Sequence, residues 1–189
     1  MRAGRVSGVL GRAVAVAAGV ALVAACGARV SGAPVPAAGF GPASSPAVTD
    51  TAPRSLTGVD LCALLTPDDL TPAGGLAGTP GRRADTFPDS CGYPLRGGAA
   101  GDYVLVALYK PLAQVRHDQP GGHAERTLGY DTWLHCAVSD GYRTCTASVA
   151  VRDDRSLLVA MDKRDTPEGT LLRLLQPLTE GALRRLPRA

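Results

Sequence analysis

The pattern of apolar and polar positions divides the chain into three stretches. Ala13 to Ala25 is an apolar run, preceded by Arg2, Arg5 and Arg12 and closed by Cys26. Residues 27–54 show no periodicity: they are Ala, Pro, Gly, Ser, Thr and Val, with almost no charge and one aromatic, Phe40. From Ser55 regular patterns begin. Asp60-Leu61-Cys62-Ala63-Leu64-Leu65 predicts a short helix with Asp60 as its N-cap. Thr66-Pro67-Asp68-Asp69-Leu70 restarts a helix, with Thr at the cap, Pro at the first position and acids in the first turn. The glycine-rich stretch Gly74–Gly81 ends it and reads as a loop, because it lacks the strand, lysine and helix order of a phosphate loop.

Tyr103–Tyr109 is rich in β-branched and aromatic residues and predicts a strand, which Pro111 ends. Residues 111–118 support one helical turn or two, and Pro120-Gly121-Gly122 a loop. Further strands are expected at Trp133–Ser139, Tyr142–Arg152 and Leu157–Asp162, with turns at Asp140-Gly141 and Asp153-Asp154. Thr166-Pro167-Glu168 opens a last helix. In it Leu171, Leu174, Leu175, Leu178 and Ala182 share one face, and Pro177 kinks or splits it. No internal repeat is present. This order predicts an α+β fold, an antiparallel β-sheet with N-terminal and C-terminal helices packed on one face.

The first stretch changes the picture of where the domain works. Basic, then apolar, then small residues is the order of a secretory signal. The run is shorter than the about 20 apolar residues that span a bilayer. Val23-Ala24-Ala25-Cys26-Gly27 resembles a bacterial lipobox, in which the cysteine thiol receives a diacylglyceryl group and the peptide is cut before it. Residues 1–25 are therefore expected to be a lipoprotein signal peptide, Cys26 the lipidation site, 26–54 a flexible tether, and 55–189 the folded domain. A chain of that composition cannot bury enough surface to offset its ordering entropy. As a random coil it reaches about 30 Å. The expected location is the outer face of the cell membrane, held by the lipid.

Charge excludes one class of partner. The formal net charge is +3. The positive excess lies before Ser55, in Arg2, Arg5, Arg12, Arg29 and Arg54. The rest holds fifteen basic and sixteen acidic residues. A nucleic-acid binder needs a basic domain face, so no nucleic-acid partner is expected. Asn and Ile are absent and Lys occurs only at 110 and 163, a codon signature of a GC-rich genome.

Four cysteines follow Cys26: Cys62, Cys91, Cys136 and Cys145. An even number in an exported domain implies two bridges. A two-residue turn at Asp140-Gly141 places Cys136 opposite Cys145 at a non-hydrogen-bonded pair, where strands approach closest. Cys62 and Cys91 then pair by exclusion. Chain entropy assigns the larger loop about 3.6 kcal/mol and the hairpin loop about 2.7 kcal/mol.

Other chemistry is sparse. The chain holds no Gly-x-Ser-x-Gly elbow, Ser-x-x-Lys pair, His-Glu-x-x-His or Walker sequence. His117, Asp118, His123 and Glu125 flank the Pro-Gly-Gly loop, and the pattern reads first as a solvated loop and only then as a weak metal site. Asp153-Asp154 reads as a turn, and Asp85 and Asp89 as loop acids before Cys91. No catalytic residue, metal site or cofactor is assigned. Trp133, the sole Trp, alternates with His135 on one side of its strand. Thr144 and Thr146 lie beside them on the neighbouring strand, and the four form a candidate contact surface. The other alternation, Cys145, Ala147, Val149 and Val151, faces the last helix.

Asp60-Leu61-Cys62-Ala63-Leu64-Leu65-Thr66 and Cys91-Gly92-Tyr93, after a lipobox and a Pro/Ala/Ser tether, resemble a group of actinobacterial exported lipoproteins of unknown function that includes mycobacterial ones. That family often carries Trp two residues after the second cysteine, where this chain has Tyr93. The resemblance implies membrane anchoring and a Cys62–Cys91 bridge, and carries no catalytic residue. The expected function is a non-enzymatic binding or accessory module of the cell envelope, for an envelope protein or a small apolar ligand. The alternative is an envelope hydrolase using loop Asp and His residues.

Overall fold

A computed structural model describes residues 52–83 and 87–189. Cys26, the signal and nearly all of the tether, and Asp85, lie outside the described residues. Seven strands run β1 (Gly81–Arg83), β2 (Ser90–Pro94), β3 (Tyr103–Tyr109), β4 (His123–Thr127), β5 (Tyr130–Ser139), β6 (Tyr142–Val149) and β7 (Ser156–Arg164). They form one antiparallel sheet in the order β1-β2-β3-β7-β6-β5-β4. The chain thus lays down one meander, crosses to the far edge through helix α2 (Leu112–Asp118), and meanders back until β7 pairs with β3. Helix α1 (Pro67–Leu70) precedes the sheet and α3 (Glu168–Arg185) follows it. The class is α+β.

Register sorts the side chains. Tyr93, Val104, Met161, Cys145 and Cys136 lie in one row across five strands. This row belongs to the main core, with Leu61, Leu64, Leu65 and Leu70 from the N-terminal segment and Leu171, Leu175, Leu178 and Leu183 from α3. The next row, Gly92, Leu105, Ala160, Thr146 and His135, points to the opposite face. There Leu105, Ala107, Leu158 and Ala160 form a second, smaller cluster. Tyr93 is fully buried; its hydroxyl donates to Leu61 O and accepts from Leu65 N–H. Tyr at this position therefore ties the N-terminal helical turn to the sheet.

The local signals near the start work as expected. Asp60 caps the short 3-10 turn Leu61–Ala63 by accepting from Cys62 N–H. Thr66 and Asp69 form a reciprocal capping box on α1, with Pro67 at its first position. Asp69 also meets Arg185 of α3 at 2.8 Å. α3 runs as one helix through Pro177. Among the described residues no helix is long and apolar enough to cross a membrane.

Both bridges are present, Cys62–Cys91 with Cα atoms 5.2 Å apart and Cys136–Cys145 with 4.1 Å. The hairpin register runs from Ser139↔Tyr142 at the turn to Cys136↔Cys145, with Asp140 and Gly141 both at positive φ. Three strands are additional to the expected four: β1 in the glycine-rich stretch, β2 around Cys91, and β4 in what reads as a loop. The folded part also starts before Ser55. Arg54 is only 3% exposed and pairs with Arg188 as an isolated bridge.

Candidate functional site

Trp133, His135, Thr144 and Thr146 do share a face. His135 and Thr146 are register partners, and the Thr146 hydroxyl donates to His135 O. Trp133 partners Ser148, and Thr144 partners Asp162 on β7. Trp133 is half-buried because α2 abuts it. Its indole N–H donates to Gln119 O at 3.1 Å, and the Arg116 guanidinium lies 5.6 Å from its ring centroid. Gly122 makes this approach possible, since a Cβ there would sit 2.5 Å from Leu134 O and collide with the indole.

Two residues of this face were missed by the sequence reading, Asp162 and Tyr103. Burial pushes the Asp162 carboxyl up, hydrogen bonds with Thr144 and Tyr103 pull it down, and the Asp102 charge adds to the rise; the net shift is upward. Alternation in β7 places Asp162 next to Ala160 and opposite Thr144, but a carboxylate at a strand end reads as a solvated terminus. Only the assembled sheet shows that it is partly buried.

On the α3 side a cleft of about 250 Å³ opens between α3 and the sheet edge. Its floor is Leu134, Ala147 and Leu175. One wall is β4, where alternation turns His123, Glu125 and Thr127 inward. The other wall is Leu172, Gln176 and Thr179, which recur at helical spacing along α3. The Thr179 hydroxyl donates to Leu175 O. The result is a slot with an apolar floor and a polar, ionisable rim that includes Arg126 and Arg173. Sequence pattern pointed to His123 and Glu125 as loop residues; the strand makes them neighbours on one wall.

Three of the candidate acids named from the sequence are ion-paired. Asp118 pairs with Lys110 at 2.8 Å, Asp154 with Arg152 at 3.1 Å, and Asp89 with Arg155 at 3.0 Å. Among the described residues no group of three or more His, Cys, Asp or Glu is placed to hold a metal ion. His117 and Asp118 sit on α2, away from the β4 wall that carries His123 and Glu125.

Fold and bridges together define a disulfide-stapled α+β domain built on a single seven-stranded antiparallel sheet. The chain belongs to the family described as Protein of unknown function (DUF3558), which it matches over residues 21–171. No curated protein and no solved structure matches it.

Proposed function

We propose that this chain is a lipid-anchored binding module of the cell envelope, whose N-terminal and C-terminal helices cover one sheet face, with α3 and β4 walling the ligand slot. The observation that carries the reading is the cleft itself. Apolar floor, polar lip and a position between a helix and a sheet edge are the ordinary attributes of a small-molecule site. A cavity of 150 Å³ holds a benzene ring, so this slot takes a small amphipathic molecule with one apolar segment inside and a polar group at the lip.

The probe is 8-anilinonaphthalene-1-sulfonate, an amphipathic anion that fluoresces in apolar sites. It is expected to bind the folded chain with a single saturable isotherm. Leu172→Glu, which places a charge on the half-exposed helix wall, is expected to abolish it. An isotherm unchanged in Leu172→Glu and in Thr127→Arg overturns the slot as the binding site.

The anchoring half of the reading rests on Cys26 and its lipobox-like surroundings, which fall inside the family match. Two acyl chains make a stable anchor where one is marginal. Cys26→Ala is expected to leave the precursor uncut or release the domain from membranes. Unchanged processing and fractionation overturn it.

A further inference from the structure

The face opposite α3 carries a repeated motif. Four of its aromatic rings each lie beneath a cation. Arg83 is 5.3 Å from the Tyr103 centroid, Lys110 5.5 Å from Tyr109, Arg116 5.6 Å from Trp133, and Arg164 4.9 Å from Tyr142. Register accounts for the coincidence: Tyr103, Tyr109, Trp133 and Tyr142 all alternate to this side. Gly92 serves it too, because a Cβ there would meet the Arg83 stem at 2.8 Å, so the stem lies across the sheet to reach Tyr103. The rings mark the corners of a patch three strand spacings wide, about 14 Å. Between the rings lie Thr144 and Thr146 and the buried cluster of Leu105, Ala107, Leu158 and Ala160, against which Tyr103, Tyr109 and Phe87 pack. Arg83, Arg116 and Arg164 are exposed and Lys110 is half-buried.

Arg126, on the edge strand where it also borders the α3 cleft, pairs with Asp131 at 3.3 Å. Among the described residues the acids on this side of the strands and on α2 are Asp131, Asp162 and Asp118, of which Asp118 pairs with Lys110 at 2.8 Å, while Arg83, Arg116 and Arg164 are exposed. A surface of partly exposed Tyr and Trp rings under Arg and Lys heads, with α2 lying against its Trp133 corner, has the composition of a membrane interface, where amphipathic rings sit at headgroup level and long cationic side chains reach phosphates.

We infer that this face docks on an anionic lipid surface, with Tyr103, Tyr109, Trp133 and Tyr142 at headgroup depth and Arg83, Arg116 and Arg164 against the phosphates. The orientation turns the α3 slot away from the bilayer, toward whatever approaches from outside. The inference takes from the anchored reading only that a membrane is near. The stretch between Cys26 and Ala52 spans at most about 90 Å when fully extended, so a lipidated chain keeps its domain at the surface.

The test uses the mature chain carrying Cys26→Ser, which has no acyl group, so failure of the anchor reading does not affect it. Vesicles of phosphatidylcholine alone are compared with vesicles containing roughly one-third phosphatidylglycerol. Trp133 is the only Trp in the chain, so its emission reports directly on the face. Expected are binding to the anionic vesicles only, a blue shift of Trp133 emission, and weakening with salt. Arg116→Gln and Arg164→Gln should each lower partitioning about fivefold, with melting temperature as the folding control, whereas Arg173→Gln on the slot side should not. Equal binding to both vesicles, no binding, or parental partitioning in the double variant overturns the inference. So does displacement by millimolar glycerol phosphate, which would mark a soluble-phosphate site.

Discussion

The Arg54 guanidinium lies 3.2 Å from the hydroxyl of Tyr130, 76 positions further along the chain. A second arm donates to Leu186 O at 3.2 Å, and the Tyr130 hydroxyl in turn donates to Ala52 O. The backbone closes the same contact: Ser55 N–H donates to Pro187 O and Ala189 N–H to Pro53 O. The entry and the exit of the domain are thereby one structure, and the buried arginine is its clasp.

Replacing Arg54 with Ala leaves Leu186 O and Tyr130 with fewer partners at a nearly closed site. Hydrogen bonds to charged groups are worth about 1.5–3 kcal/mol, and a loss of that size is expected in urea unfolding. Arg54→Lys should recover only part of it, since one ammonium lacks the fork that reaches both partners. A parental midpoint in Arg54→Ala would show that the termini are held by the backbone alone.

The two bridges should differ in weight. They close segments separated by 29 and 9 positions. Chain entropy gives about 3.6 and about 2.7 kcal/mol for these. Cys91 and Cys145 are both fully buried, so packing losses at the two sites are comparable. The Cys62→Ala/Cys91→Ala pair is expected to be the less stable of the two double variants by about 1 kcal/mol, measured by denaturant midpoint at constant slope. The reverse order would mean that the hairpin bridge holds more than its own turn.

Asp69 ties acid stability to one corner of the fold. Burial pushes its carboxyl up, but hydrogen bonds from the Thr66 N–H and hydroxyl and from Arg185, with that guanidinium's charge, outweigh it and hold it below its ordinary value of 3.8. A depressed folded value contributes stability that is present above 3.8 and is lost as pH falls through the lower folded value. Asp69→Asn should therefore be less stable than the parent at pH 7, and its stability curve should converge with the parent's in strong acid. A constant difference across the acid limb would assign the effect to packing.

Legibility in the sequence followed burial. β3 matched its expected bounds at both ends, and the hairpin register followed from Asp140-Gly141, because an Asp-Gly pair accepts positive φ readily. The two edge strands were illegible for the opposite reason. Gly81-Arg82-Arg83 buries nothing and His123–Thr127 almost nothing, so neither has a pattern to read. Charged, short edges are how a sheet discourages further pairing. The turn joining β4 to β5 hid as well, since it puts Leu128, not Asn or Asp, at φ 50° beside Gly129. β2 contains Gly92 and Pro94, which weaken any strand signal. Of the site, alternation placed Trp133, His135, Thr144 and Thr146 on one face. It did not show that α2 folds over Trp133, or that His123 and Glu125 wall a slot on the other side, because those contacts join segments far apart in the chain.

Asp162 provides the last prediction, with a sign opposite to that of Asp69. Its side chain lies between Thr144 and Tyr103, close enough to Asp102 to feel its charge, and burial raises its carboxyl above the ordinary 3.8. For an acid raised in the folded state, the proton-linked stability is fully present below the unfolded value and is lost as pH rises through the folded one. At neutral pH the charged form is thus a cost to the fold. Asp162→Asn keeps the shape and an acceptor for the two hydroxyls while removing the charge. The variant is expected to melt higher than the parent at pH 7, and the advantage should shrink to nothing near pH 3, where both side chains are neutral. Thermal melts at several pH values between these limits check it. A variant that melts lower than the parent at pH 7 would mean that the carboxylate is held by a favourable partner and that burial is not what governs this residue.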